Sequence, residues 1–400
     1  MNSNNQRVCY GLMSLPMWAV MLAQFFSAFG DNVLFVVAIG LLKAHAQQSL
    51  TPWLQEAFVI AFILLAPFVG PFADSLPKGR AMFMANTVKL LGTVFILAGG
   101  HTLVGYLVVG VGAAMYSPAK YGILGQMVLP DQLVRANGML EGSTIAAILL
   151  GVVAGGWLAD HAMSYALLAV VGTYLLAALI NLLIPRLAPE HPLEKINPLA
   201  MVGEFGRALV QLARDRDTRF SLIGTSVFWG SGATLRLLLF AWVPVALGVS
   251  NNETPSMLMG ALSVGIVFGA VLAGALVHLH NINRALLGGV LLGPLVLLLN
   301  GITQIPHAAL AMALVGICGG FFVIPLNALL QKRGHELVGV GHALAIQNFW
   351  DNLGMLLLVG LYMGSSKAGM SVEGSVALFG GVIMVGLTSL AVWRRRSTQA

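Results

Sequence analysis

The chain is a succession of apolar runs, each about 20 residues long, broken by short polar stretches. Continuous runs of that length, without period-two alternation, are the mark of helices that cross a bilayer rather than of barrel strands. The pattern predicts twelve spans, near 17–43, 54–73, 81–99, 102–129, 133–158, 163–186, 218–247, 256–280, 284–303, 307–332, 338–364 and 371–393. One longer polar segment interrupts the series, with Pro189, Pro192, Pro198 and the cluster Arg214, Asp215, Arg216, Asp217. It divides the chain into a six-helix bundle over 1–186, a linker over 187–217 and a second six-helix bundle over 218–400. The first run is too long for the apolar core of a signal peptide and more spans follow it, so it is expected to remain.

Composition makes each charge inside a span informative. Of 400 residues 58% are hydrophobic and 9% charged, against about 25% charged in soluble domains. The sixteen Lys and Arg expected on the cytoplasmic side, out of 21, fix an orientation with both termini cytoplasmic; Lys43 and Lys367 fall outside, and Lys89, Lys120 and Arg236 lie within spans. A positive-inside bias of that size also accounts for the net charge of +6 without a nucleic-acid partner. Cys9 and Cys318 form no disulfide framework or metal-ligand spacing, so no cofactor and no metal are expected. No Lys follows a Gly, which excludes a Walker A loop, and neither a Gly-x-Ser-x-Gly elbow nor a His–Asp acyltransferase box occurs. The chain is not expected to be an enzyme.

The halves repeat. Pro118 and Lys120 in MYSPAKYGILGQ stand opposite Pro325 and Asn327 in FVIPLNALLQKR, an offset of 207, and Phe25-Phe26 stands opposite Phe228-Trp229, an offset of 203. Parallel six-helix repeats place a substrate site between the halves near the bilayer midplane. The expected fold is therefore all-α and integral to the membrane, with two six-helix bundles related by pseudo-two-fold symmetry.

Away from the span ends, six acidic or basic residues lie well inside the spans: Asp31, Lys89, Lys120, Glu141, Arg236 and Asp351. A carboxylate such as Asp31, roughly 20 Å along its helix, is tolerable only if it faces a wet cavity, pairs with a cation or is protonated. Lys89 lies nearer the cytoplasmic side, where snorkelling and a structural role are expected. Lys120 and Glu141 are either an ion pair holding the first half together or substrate ligands. Asp31 and Arg236, from opposite halves, suit a latch across the cavity. Asp351 sits among Gln347, Asn348 and Asn352, a polar face. Gln24 and Asn32 flank Asp31, so the candidate substrate-binding set is Gln24, Asp31, Asn32, Lys120, Glu141, Arg236, Gln347, Asn348 and Asp351.

The turn GPFADSLPKGR, Gly70 to Arg80, resembles the signature loop of the major facilitator superfamily. Gly70 would permit close helix approach, Asp74 would cap or accept from a cation, and Gly79 would turn the chain before Arg80. The second half keeps only a relic, from Gly274 to Arg284. Across QFFSAFGDN, VGAAMYSPAKYGILG, ANGMLEGSTIAAILLG, FSLIGTSVFWGSGATLR, GGFFVIPLNALLQKRG and AIQNFWDN the chain resembles the bacterial lysophospholipid transporters of that superfamily. That resemblance implies a flippase carrying lysophosphatidylethanolamine and related lysolipids from the outer to the inner leaflet of the bacterial inner membrane. It also implies a cytoplasmic partner, an acyltransferase that is also an acyl carrier protein synthetase, and a transporter working as a monomer. On this reading Arg236 and Lys120 bind the phosphate, Asp31 meets an ethanolamine ammonium, and the small-residue face Ala146 to Gly156 leaves a lateral gap for the acyl tail. Two alternatives stand beside it: a polyspecific exporter of drugs or amphiphiles on the same fold, and a non-transporting docking subunit for a lipid-modifying enzyme.

Overall fold

The structure is a computed structural model, and it describes residues 11–129, 133–189, 197–277 and 279–399. Six long helices come first: α1 (Leu15–Ala44), α2 (Thr51–Ser75), α3 (Lys78–Leu97), α4 (Thr102–Met127), α5 (Leu133–His161) and α6 (Met163–Asn181). A shorter helix, α7 (Pro198–Arg214), separates them from α8 (Arg216–Leu247), α9 (Glu253–Leu276), α10 (Leu286–Leu297), α11 (Ile305–Val338), α12 (Val340–Lys367) and α13 (Val372–Gln399). Twelve stretches among the described residues are long and apolar enough to cross a membrane, α10 doing so with its flanking turns as Asn281–Gly301. Their places agree with the twelve spans expected from the sequence. With an even number of crossings, the start of α1 and the end of α13 share one face, here the near face; the other is the far face.

Local chemistry sets the helix ends. Ser14 caps α1 by accepting from the Met17 N–H at 3.4 Å, with proline in the first turn. Asp215 caps α8, its Oδ1 accepting from the Asp217 and Thr218 N–H groups at 3.1 and 3.0 Å. The linker, read from the sequence as polar chain, contains a helix. Asn197 caps α7, Pro198 starts it, and Phe205, Ala208 and Leu212 are buried along one side. That side packs against Ala66 of α2 and Leu222, Leu330, Ala343 and Ile346 of the second half, so α7 touches both halves at the near face.

Close contacts between helices fall where side chains vanish. Gly265 and Gly269 of α9 meet Gly316 and Gly320 of α11; a Cβ on any of the four would stand 2.1–2.2 Å from a carbonyl oxygen of the opposing helix. This is the small-xxx-small contact of membrane helices. The same device corrects three sequence-based expectations. A Cβ on Gly70 would meet nothing within 4 Å, so Gly70 serves no close approach. Gly79 does not turn the chain, since it lies inside α3; its missing side chain admits Ile184, 3.0 Å from the Cβ position. In the stretch from Ala146 to Gly156 the glycines pack against other helices instead of lining a gap for a tail. Cβ atoms on Gly151 and Gly155 would stand 2.8 and 3.0 Å from the Phe29 and Val33 carbonyls of α1, and one on Gly156 would stand 2.6 Å from Ser256 Oγ of α9.

Candidate functional site

A cavity of about 220 Å³ is walled mainly by α1, α2, α3, α4 and α5 of the first half and reaches the second half at Arg236 of α8. Its walls include Gln24, Asp31 and Asn32 of α1, Lys89 of α3, Tyr106, Tyr116, Ser117 and Lys120 of α4, Thr144 of α5 and Arg236 of α8. Five of the nine residues proposed from the sequence as substrate ligands thus share one space. The side chain of Glu141 lies outside the described residues, and with it the expected Lys120–Glu141 pair. Lys120 itself lies over the Tyr121 ring, 4.6 Å from its centroid.

Asp31 is held from within its own half. Its Oδ2 accepts from Lys89 Nζ at 2.7 Å and its Oδ1 from the Tyr174 hydroxyl of α6 at 2.8 Å. Lys89 Nζ also donates to Ser27 Oγ at 2.9 Å, and Ser27 Oγ donates to Asn86 Oδ1 at 2.7 Å. The Tyr116 and Tyr174 rings flank the ammonium at 5.3 and 5.7 Å from their centroids. The expectation that Lys89 snorkels toward the membrane surface is therefore corrected. The reason is Gly112 on α4: a Cβ there would stand 2.6 Å from Lys89 Cγ, and its absence lets the lysine stem lie inward between α3 and α4. Lys89 is 2% exposed and Asp31 20%, so the carboxylate keeps an edge toward the cavity.

The expected latch between Asp31 and Arg236 is likewise absent; no ion pair joins them among the described residues. Arg236 instead lays its guanidinium over the Phe35 ring of α1, 3.5 Å from the centroid. Phe35 is one helical turn beyond Asp31, so the aromatic face receives the arginine while Lys89 occupies the acid. Arg236 Nε and Nη2 are buried with no hydrogen-bond partner. A bidentate guanidinium with open donors is a ready receptor for a phosphate or carboxylate.

Three proposed ligands are not among the residues lining the cavity. Asp351 is 5% exposed and its Oδ1 has no hydrogen-bond partner. Gln347 donates to Asn327 Oδ1 at 2.7 Å, and Asn348 reaches across the halves to Ser117 Oγ at 3.1 Å. In the near-face turn, Asp74 accepts from Lys78, a buried lysine lying against Gly122 of α4, while Arg80 is exposed.

The far side of the cavity is closed by contacts missed from the sequence. Asp160, at the end of α5, accepts from the Asn252 N–H at 2.8 Å, the Asn252 amide at 2.7 Å and the Glu253 N–H at 2.7 Å, so a carboxylate of one half caps α9 of the other. Lys43 donates to the Ser250 carbonyl at 2.6 Å beside it. The sequence signal was an acid at a span end opposite Asn-Asn-Glu at the start of another, a capping pattern split between halves.

Residues 20–359 match the Major Facilitator Superfamily. The chain is 50% identical over 390 residues to "Lysophospholipid transporter LplT" of Enterobacter sp. (strain 638), and 48% identical over 386 residues to the protein of that name in Escherichia coli O1:K1 / APEC; in each case 96% of this chain and 97% of the relative are covered. The fold is similar to the crystal structure of a POT family transporter in complex with 5-aminolevulinic acid, with a TM-score of 0.76 and 12% identity over 98% of this chain and 99% of that one. Family match, identity and coverage agree: the chain belongs to the lysophospholipid transporter LplT family of the Major Facilitator Superfamily.

Proposed function

We propose that this chain carries lysophospholipids, lysophosphatidylethanolamine among them, from the outer to the inner leaflet of the bacterial inner membrane by alternating access of its two halves. The near face is cytoplasmic, in keeping with the Lys and Arg distribution, and 187–217 joins the moving halves 1–186 and 218–400. The observation that carries the reading is Arg236, whose Nε and Nη2 donors are buried and unmet on the cavity wall. Unmet buried donors carry a desolvation penalty of about 1–3 kcal/mol, which a bound phosphate relieves. Lys120 supplies a second cation, and Asp31 with Gln24 and Asn32 faces the rest of the headgroup. At about 220 Å³ the cavity is smaller than the roughly 300–1,000 Å³ of sites that enclose a whole small ligand. It takes the headgroup, and the acyl tail stays outside it.

Gln347, Asn348 and Asp351 join the substrate path only as the halves move, since they lie off this cavity. Delivery to the inner leaflet presents the lysolipid to a cytoplasmic acyltransferase, and the transporter acts as a monomer.

Initial-rate uptake of a zwitterionic and an anionic lysolipid into proteoliposomes tests the phosphate reading. Arg236→Ala is expected to slow both by tenfold or more, on the order of one charge-assisted hydrogen bond, and Arg236→Lys to recover only part because the bidentate fork is lost. Undiminished uptake of both by Arg236→Ala would sink the phosphate clamp. An exporter of assorted amphiphiles would be recognised by transport that ignores the phosphate altogether.

A further inference from the structure

Asp31 is the one acid among the described residues lining the cavity, and it does not stand alone. Lys89 occupies Oδ2 at 2.7 Å and Tyr174 occupies Oδ1 at 2.8 Å. Seen from inside the cavity, the pair is a short dipole rather than a negative charge. Arg236 differs in kind, since its guanidinium lies over the Phe35 ring and two of its donors are open.

We propose that Lys89 determines headgroup selectivity: by holding Asp31 in an ion pair it cancels the acid of the cavity, so the site reads the phosphate common to lysophospholipids and gives little weight to an ammonium beyond it. The inference rests on the lysolipid reading above and deepens it. An ammonium approaching Asp31 must share the carboxylate with Lys89 Nζ, which touches the same group and repels the newcomer. An anionic headgroup meets no uncompensated acid and keeps its phosphate contact with Arg236. Lys89 is fixed in this role by four neighbours, Ser27, Asp31, Tyr116 and Tyr174, and by the space left at Gly112.

The test is the ratio of initial uptake rates of lysophosphatidylethanolamine and lysophosphatidylglycerol in proteoliposomes of the full-length protein. Wild type should carry both at comparable rates. Lys89→Gln should move the ratio toward the ethanolamine lipid by about tenfold or more, the scale of a charge-assisted hydrogen bond. Asp31→Asn, which leaves Lys89 uncancelled, should move it the opposite way. Lys89→Arg should keep the wild-type ratio. A purely structural role would slow both lipids equally in every variant and leave the ratio unmoved; that result overturns the proposal. Should Lys89→Gln not fold, Tyr174→Phe removes one of the two groups on Asp31 and should shift the ratio in the same direction by less, and an unmoved ratio there overturns the proposal equally. Wild-type protein that carries neither lipid would instead overturn the transport reading on which the inference rests.

Discussion

The two halves share a template but hold the charges near the cavity differently; away from it, Glu56 of α2 in the first half is buried with neither carboxylate oxygen partnered. In the first, Asp31 and Lys89 sit in a closed network in which both carboxylate oxygens and the ammonium have partners. In the second, the residue at the offset of 203 from Asp31 is Thr234, whose hydroxyl donates to its own helix at Gly230 O, 2.9 Å away. The charges of that half stand elsewhere, at Arg236 and Asp351, and both carry buried polar atoms without a partner. The repeat survives where it concerns packing: Phe25–Phe26 and Phe228–Trp229 are both edge-on pairs, at 5.3 and 5.4 Å between centroids, and α4 and α11 both hold an internal proline. Packing is thus the duplicated part and electrostatics the divergent part. A charge completed by its own half stabilises and tunes; a charge left incomplete on the cavity wall, as at Arg236, is available to a ligand.

Stability should expose that contrast most strongly. Removing one partner of a buried ion pair strands the other charge, at a cost of about 3–5 kcal/mol, and Lys89→Met should lower the thermal midpoint accordingly. Arg236→Met strands nothing, because two of its donors were never satisfied, and should leave the midpoint near that of wild type while slowing uptake by about tenfold or more. Fluorescence-monitored unfolding of the three detergent-solubilised proteins checks this. Equal losses at the two positions would erase the distinction between completed and incomplete charge.

How much of this was legible beforehand follows from what each feature depends on. Span number and place depend on the length of apolar runs and were readable throughout. The residues gathered in the cavity were largely readable too, because depth along a helix follows from the rise of about 1.5 Å per residue. The partners were not. Lys89 lies eleven residues into α3 and Asp31 sixteen into α1, heights that differ by about 8 Å. They meet because a flexible lysine stem bridges the difference through a slot at Gly112. Gly112 and Tyr116, one turn apart on α4, were the signal, but it takes a neighbouring helix to give it meaning. α7 was hidden because the linker's prolines and charges masked a short apolar face, Phe205, Ala208 and Leu212, spaced for one side of a helix.

The far-face closure joins the halves and should respond less drastically. Asp160→Ala removes three hydrogen bonds to a carboxylate, each worth roughly 1.5–3 kcal/mol in favourable settings. Much of that is offset by water at an exposed helix end. A shift of about tenfold toward a far-open state is expected, since 1.4 kcal/mol suffices for it. With Cys9 and Cys318 replaced, a cysteine at Ala113 on the cavity wall should be labelled faster by a membrane-impermeant reagent added from the far side. Unchanged labelling in Asp160→Ala would show that the α5–α9 seam is held by packing, and that the halves differ in charge only around the cavity.

The smallest effect concerns the near face, where the halves differ again. The first half has the Asp74–Lys78 pair in its signature turn. The second has a network: Arg333 binds Asp215 at 3.0 Å, Glu336 at 2.7 Å and Asp217 at 3.7 Å, and Arg394 binds Asp217 at 2.7 Å. Burial alone would raise the Asp215 carboxyl, but the Thr218 N–H and the Arg333 guanidinium outweigh it and hold the group below its ordinary value of 3.8. A carboxyl lowered in the folded state stabilises the fold above its unfolded value, and that stabilisation fades as pH falls through the lower folded value. Asp215→Asn should therefore lower the thermal midpoint slightly at pH 7, and the gap from wild type should hold down to about pH 4 and close below it. The variant keeps a side-chain oxygen able to cap α8, so the pH-dependent part of the gap isolates the charge. A gap that stays constant from pH 7 to pH 3 would assign Asp215 to capping alone. The second half would then be tied to its near-face network by Asp217 and Arg394, with Arg333 contributing through Glu336.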